Sequence, residues 1–130
     1  MGLYSYNILP TNFCDYLINL YETDTGNHER VDKESKPTFT QLNLNKYHAN
    51  VVSNLCNYFS VALDFYKKDV PQAKYLPQVK YLEEFRIKKY AVGGQDRFDE
   101  HVDVVNHNSS RRCLAMLFYL SLIHIWRCRR

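Results

Sequence analysis

The spacing of apolar residues shifts to a period of two after Pro77, and that shift restricts the chain to folds that join helices to a sheet. Outside residues 37–44, the apolar positions before Pro77 recur every three or four residues; after it they recur every second residue. Pro10-Thr11-Asn12 opens the first helical run, FCDYLINLYE, with Thr11 or Asn12 as cap and Asp15 suited to the first turn. Phe13, Leu17, Leu20 and Tyr21 form its apolar stripe. Residues 23–36, polar and containing Gly26, read as a loop, and residues 37–44 as a strand with Phe39 packed inward. A second helix is expected over 45–67, with Tyr47, Val51, Leu55, Phe59, Ala62 and Tyr66 on its buried face.

Past Pro77, residues 81–90 read as a strand that places Phe85 and Ile87 on one face, and Gly93-Gly94 ends it. Residues 98–105 and 111–120 read as two further strands, the last apolar on both faces as in a strand covered from both sides. Helices first and strands after give an α+β fold with the helices packed on one sheet.

Composition sets the outer bounds. The chain has 130 residues, 45% of them apolar and 24% charged, enough to bury a core within a single domain. The net charge of +3 is owed to Arg127, Arg129 and Arg130; the remaining basic and acidic residues balance, so a nucleic-acid or membrane-surface partner is not expected. No apolar run approaches the roughly 20 residues of a membrane span, and MGLYSYNILP lacks the pattern of a secretory leader. Scattered cysteines without a C-x-x-C read as free, mostly buried thiols, so the expected compartment is the cytoplasm.

Residues 120–130, LSLIHIWRCRR, break the upstream trends. They hold the sole Trp and read as the translation of a transposon-library sequencing adapter. Residues 1–119 are therefore taken as native and 120–130 as a non-native tail.

One pair of residues carries chemistry. On a strand, His101 and Asp103 project to the same side, beside Asp99, while Phe98, Val102 and Val104 face the other way. A charged face within a hydrophobic sheet is costly unless compensated, and a divalent metal would compensate it. An imidazole and a carboxylate are two of the three protein ligands in the facial triad of non-haem Fe(II) oxygenases. The same two residues also read as a surface histidine beside a solvated aspartate.

The surrounding stretch, FRIKKYAVGGQDRFDEHVDVVNHNSSRRCLAMLFYLS, resembles the metal-binding half of Fe(II)- and 2-oxoglutarate-dependent oxygenases of the prolyl 4-hydroxylase type. The resemblance is carried by Tyr90, Gly93-Gly94, Phe98, His101-x-Asp103, Arg112 and Tyr119-Leu120, over about 40 residues. Ser121 stands where that family has Asn. The upstream part is similar to small members from marine viruses and bacteria, which would put the protein in a host cytoplasm if it is virus-encoded.

The resemblance implies a partial double-stranded β-helix, the cupin-like jelly roll, behind the N-terminal helices. It implies His101 and Asp103 as iron ligands, Tyr90 and Tyr119 in the 2-oxoglutarate pocket, and Arg112 at the mouth in contact with substrate. The cofactor is then Fe(II), with 2-oxoglutarate and O₂ as co-substrates and ascorbate as a reductant. The product of oxidative decarboxylation is succinate, and the hydroxylated substrate is not specified. The family's second His ligand and the Arg or Lys that pairs with 2-oxoglutarate lie some tens of residues beyond H-x-D. His107 reads as a turn residue, His124 lies in the tail, and His28 and His48 read as loop and helix-surface residues. A chain without those two groups is expected to be inactive. The rival readings are a cupin-like metal-binding module without oxygenase activity and a noncatalytic interaction module. A zinc hydrolase is disfavoured, since there is no H-E-x-x-H and no Cys pair at metal spacing.

Overall fold

The structure, a computed structural model, describes residues 3–32, 38–80, 82–93, 96–97 and 102–121. Its first helix, α1 (Thr11–Thr23), buries Leu17 and Tyr21, with Phe13 and Leu20 packed beside them. Pro10 occupies the cap position, and its carbonyl accepts from the N–H groups of Phe13 and Cys14. Thr11 is already helical and no side chain caps this end, contrary to the expected Thr11 or Asn12 cap, and Asp15 lies beyond the first turn. Proline's fixed φ and missing N–H make it a low-cost residue there.

Three strands follow in one antiparallel sheet: β1 (Glu29–Val31), β2 (Phe39–Asn43) and β3 (Arg86–Lys89), in the spatial order β1-β2-β3. β1 lies inside the stretch expected to be a loop. It pairs Glu29 with Gln41 and Val31 with Phe39. Charged residues on a short edge strand suppress the apolar alternation by which strands are recognised. β2 pairs in turn with β3, setting Thr40 opposite Lys89 and Leu42 opposite Ile87.

The expected long helix is two: α2 (Leu44–Tyr47) and α3 (Ala49–Asp69), separated at His48, whose φ of −138° is not helical. Asn43 caps α2 by accepting from the Lys46 N–H at 3.1 Å. His48 is therefore not on a helix surface. Its Nε2 meets Asp24 Oδ2 at 2.5 Å, fastening the α1–β1 connection to the α2–α3 break. Asn27 Nδ2 donates to both oxygens of the same carboxylate. These hydrogen bonds, His48 first and Asn27 second, hold the Asp24 carboxyl below the usual carboxylate range. A depressed carboxylate contributes stability above its unfolded pKa and loses it as pH falls through the folded value. Asp24→Asn is therefore expected to lower the melting temperature at pH 7. The difference from the parent should close as pH falls from about 4, the unfolded carboxylate value, through the depressed value. A constant difference down to pH 2 would show that the contact acts through packing alone.

The helices cover one face of the sheet. Leu17, Tyr21, Leu42, Leu44, Val51 and Leu55 form the main core, which also takes Phe85, Ile87, Phe118 and Leu120. A second cluster of Tyr66, Val70 and Ala73 lies at the far end of α3, packed by Tyr6, Leu63, Leu76 and Leu114. The Tyr4 and Tyr6 rings lie against Tyr66 and Phe65, so the N-terminal segment is part of this end.

Two of the expected strands are corrected. Of residues 98–105, residues 98–101, including Phe98, Asp99 and His101, lie outside the described residues; residues 102–105 join no ladder, and Val102 and Val105 are exposed. Hydrogen bonding there is local, with the Ser109 hydroxyl accepting from the N–H groups of Val105 and Asn106. The run at 111–120 starts in a 3-10 turn, Asn108–Arg111, and then joins no ladder among the described residues. Its burial alternates: Leu114, Met116, Phe118 and Leu120 turn inward while Leu117 and Tyr119 are 74% and 62% exposed. Only one face is covered, because the described sheet provides a single layer to pack against. Cys14, Cys56 and Cys113 are free, as expected, but less buried than expected: the first two are half-buried and Cys113 is exposed. Among the described residues no helix is long and apolar enough to cross a membrane.

Candidate functional site

Alternation along β2 and β3 sorts the sheet's side chains into two sets. Leu42 and Ile87 point to the helices, so Phe39, Gln41 and Asn43 of β2, and Arg86, Lys88 and Tyr90 on and just after β3, stand on the opposite face. Phe39 is buried, as expected, but on this second face rather than in the helix-packed core. Tyr90 tilts against its ring, with centroids 5.4 Å apart, and the Lys88 ammonium lies 4.7 Å from its centroid. Gln41 and Asn43 are buried and satisfied: Gln41 donates to Glu29 at 3.0 Å and Asn43 to Glu84 at 2.9 Å. Arg86 donates to the same Glu84 carboxylate.

Tyr90, singled out from sequence, stands on this face against Phe39. Burial pushes the Tyr90 phenol up to about 12, with smaller contributions from Asp96 and Tyr119. Tyr90 is thus a neutral hydrogen-bond donor across the physiological range, and Tyr119 is close enough for its charge to act on it. Asp103 is close enough to Lys88 for the same reason. Lys88 is exposed along its length, yet desolvation of the ammonium, followed by the charge of Arg86, holds its pKa below the usual lysine value; Asp103 opposes both.

The turn that follows Tyr90 is tightly held. Gly93 takes a φ of +75°, a backbone conformation that suits glycine. Asp96 then accepts from the Ala91 N–H at 2.9 Å and from Arg30 Nη2 at 2.5 Å. The Arg30 hydrogen bond, with the Ala91 N–H second, holds the Asp96 carboxyl below its ordinary value. Thr38 and Arg97 exchange backbone hydrogen bonds just beyond, returning the chain alongside β2. Gly94 lies outside the described residues.

Arg112 is half-exposed and engaged within the chain. Its Nε and Nη2 donate to the two carboxylate oxygens of Glu83, and its Nη1 donates to the Asp103 carbonyl at 2.8 Å. This fork anchors the 102–105 segment, so Arg112 positions Asp103. Among the described residues no group of three His, Cys, Asp or Glu side chains could hold a metal ion. His28 is engaged elsewhere, with Nε2 at 2.8 Å from the Tyr21 carbonyl.

Phe39 was expected to pack inward, but Lys88 was not singled out from sequence. The signal was present in the alternation of Arg86, Lys88 and Tyr90, which puts all three on the side away from Ile87.

Compared with known protein families, curated proteins and solved structures, the chain finds no match.

Proposed function

We propose that this chain is the N-terminal part of an Fe(II)- and 2-oxoglutarate-dependent oxygenase of the prolyl 4-hydroxylase type, built on a cupin-like jelly roll. The observation that supports the reading is the two-faced sheet. Helices close one side, and on the other Tyr90 and Lys88 flank the buried Phe39. Tyr90 is the natural donor to an anionic ligand on that face, because its phenol stays protonated and its ring is fixed against Phe39. Arg112 holds the Asp103 backbone through its carbonyl.

An imidazole and a carboxylate at i and i+2 are a suitable donor pair for Fe(II), with His101 and Asp103 as two ligands and the remaining one supplied by residues further along the protein. Bound there, Fe(II) would supply oxidative decarboxylation of 2-oxoglutarate to succinate, coupled to hydroxylation of a second substrate. The residues of this chain bind and orient: Asp103 toward the metal, Tyr90 and Tyr119 toward the carboxylate of the co-substrate. Ascorbate is the expected reductant, and the cytoplasm the expected compartment.

Manganese(II), a redox-stable stand-in for Fe(II), tests the ligand pair directly by electron paramagnetic resonance. The protein extended past Tyr119 to the remaining ligand is expected to bind one ion, and its His101→Ala and Asp103→Ala variants to lose it. Undiminished binding in both variants would overturn the assignment and favour a noncatalytic module.

A further inference from the structure

We propose that residues 113–119 form a self-pairing edge, at which a second copy of this chain docks strand to strand; the inference is independent of the oxygenase reading. The segment, CLAMLFY, holds no charged residue, no Gly and no Pro, a composition that pairs readily as a strand. It is anchored at two points, Leu114 in the cluster around Tyr66 and Phe118 in the main core. Between and beyond these anchors Ala115, Leu117 and Tyr119 face solvent, and Leu117 is 74% exposed. Among the described residues no backbone hydrogen bond reaches this segment. An anchored backbone that alternates in and out, with its donors and acceptors unpaired, is a template for another strand. The anchoring also lowers the ordering cost of docking.

Charge selects this segment, and a second copy as its occupant. The described sheet ends in β1 and β3. β1 is three residues long and centres on Arg30, and β3 carries Arg86, Lys88 and Lys89. In a two-fold pairing each strand meets its own copy in reverse, so either end strand would set basic side chains opposite one another. Residues 113–119 set no charge against another. Paired antiparallel about Leu117, they place Leu117 opposite its own copy and Ala115 opposite Tyr119, an apolar stripe along one face. Leu114, Met116 and Phe118 stay on the core side in both copies. Arg111 and Arg112 fall at opposite ends of the pair, away from their own copies. A neutral run that complements itself in this way needs no partner of different sequence.

Sedimentation of the 130-residue chain between about 1 µM and 1 mM, the weak range of a contact as small as one strand pair, tests the docking. The parent is expected to pass from monomer to dimer as concentration rises. Leu117→Lys is expected to raise the dissociation constant at least about tenfold, because it sets two ammonium groups opposite each other across the two-fold axis. Val61→Lys, at an exposed position on α3, is expected to leave it unchanged. An unchanged circular-dichroism melt verifies that Leu117→Lys is folded, and Ala115→Lys, also on the exposed side, repeats the charge test where it is not. A parent that stays monomeric throughout overturns the inference. So does a dimer that both lysine variants of the segment leave intact, or that Val61→Lys weakens equally. Growth past the dimer into open-ended assemblies overturns the two-fold pairing.

Discussion

Leu42→Ala is expected to lower the unfolding free energy by about 3–4 kcal/mol, within the range for large-to-small changes in closed cores. Leu42 is fully buried on the central strand of the sheet, paired with Ile87 of β3 and next to Gln41, which pairs with β1. Its side chain enters the cluster formed by Leu17 and Tyr21 from α1, Leu44 from α2, and Val51 and Leu55 from α3. Elements on every side are constrained by other contacts, so the cavity left by three lost carbon atoms cannot readily collapse. Val61→Ala on α3 is the control, since Val61 is 42% exposed and a surface change of this kind costs about 0.5 kcal/mol or less. Urea denaturation measures both: the midpoint is expected to fall for Leu42→Ala at unchanged slope and to hold for Val61→Ala. A loss below about 1 kcal/mol for Leu42→Ala would mean that the sheet and helices do not share one core.

The same residues show what the sequence could and could not reveal. The stripe of Phe13, Leu17, Leu20 and Tyr21 was legible because helical spacing and burial coincide there. Val51, Leu55, Ala62 and Tyr66 were legible for the same reason. The break at His48 was not, because its cause is a contact to Asp24, 24 residues away in sequence. β1 was hidden by its charges, and its pairing with β2 is set by backbone hydrogen bonds, which composition does not record.

The segment after the Asn108–Arg111 turn is a different kind of miss. Its period of two is real, since Leu114, Met116, Phe118 and Leu120 turn inward together, but period alone does not supply a neighbouring strand or a second layer. At the candidate site, Tyr90 and Tyr119 were named from the resemblance, and Tyr90 stands against the buried Phe39. The bidentate contact of Arg112 with Glu83 arises from a loop-to-loop approach that no local pattern announces.

In the protein read on past Tyr119 to a downstream His and a basic residue, His101→Ala or Asp103→Ala is expected to abolish Fe(II)-dependent conversion of 2-oxoglutarate to succinate. Each removal leaves a site with too few protein ligands to hold the metal with its open positions arranged for co-substrate and O₂. Arg112→Ala should act differently. It frees the Asp103 carbonyl from the guanidinium and leaves Glu83 unpaired, but leaves the Asp103 carboxylate in place. Its expected signature is weaker metal binding, by roughly 10–100-fold as for other groups that orient a ligand, with turnover recovered at high Fe(II). His101→Ala and Asp103→Ala should stay inactive at any Fe(II) concentration, because added metal cannot replace a missing ligand. Succinate formation, followed by mass spectrometry across an Fe(II) titration, distinguishes the two patterns. Full turnover in both ligand variants would remove the iron assignment. Failure of Arg112→Ala to recover at high Fe(II) would instead move Arg112 from positioning Asp103 into contact with the substrate, the role its place in the sequence suggests.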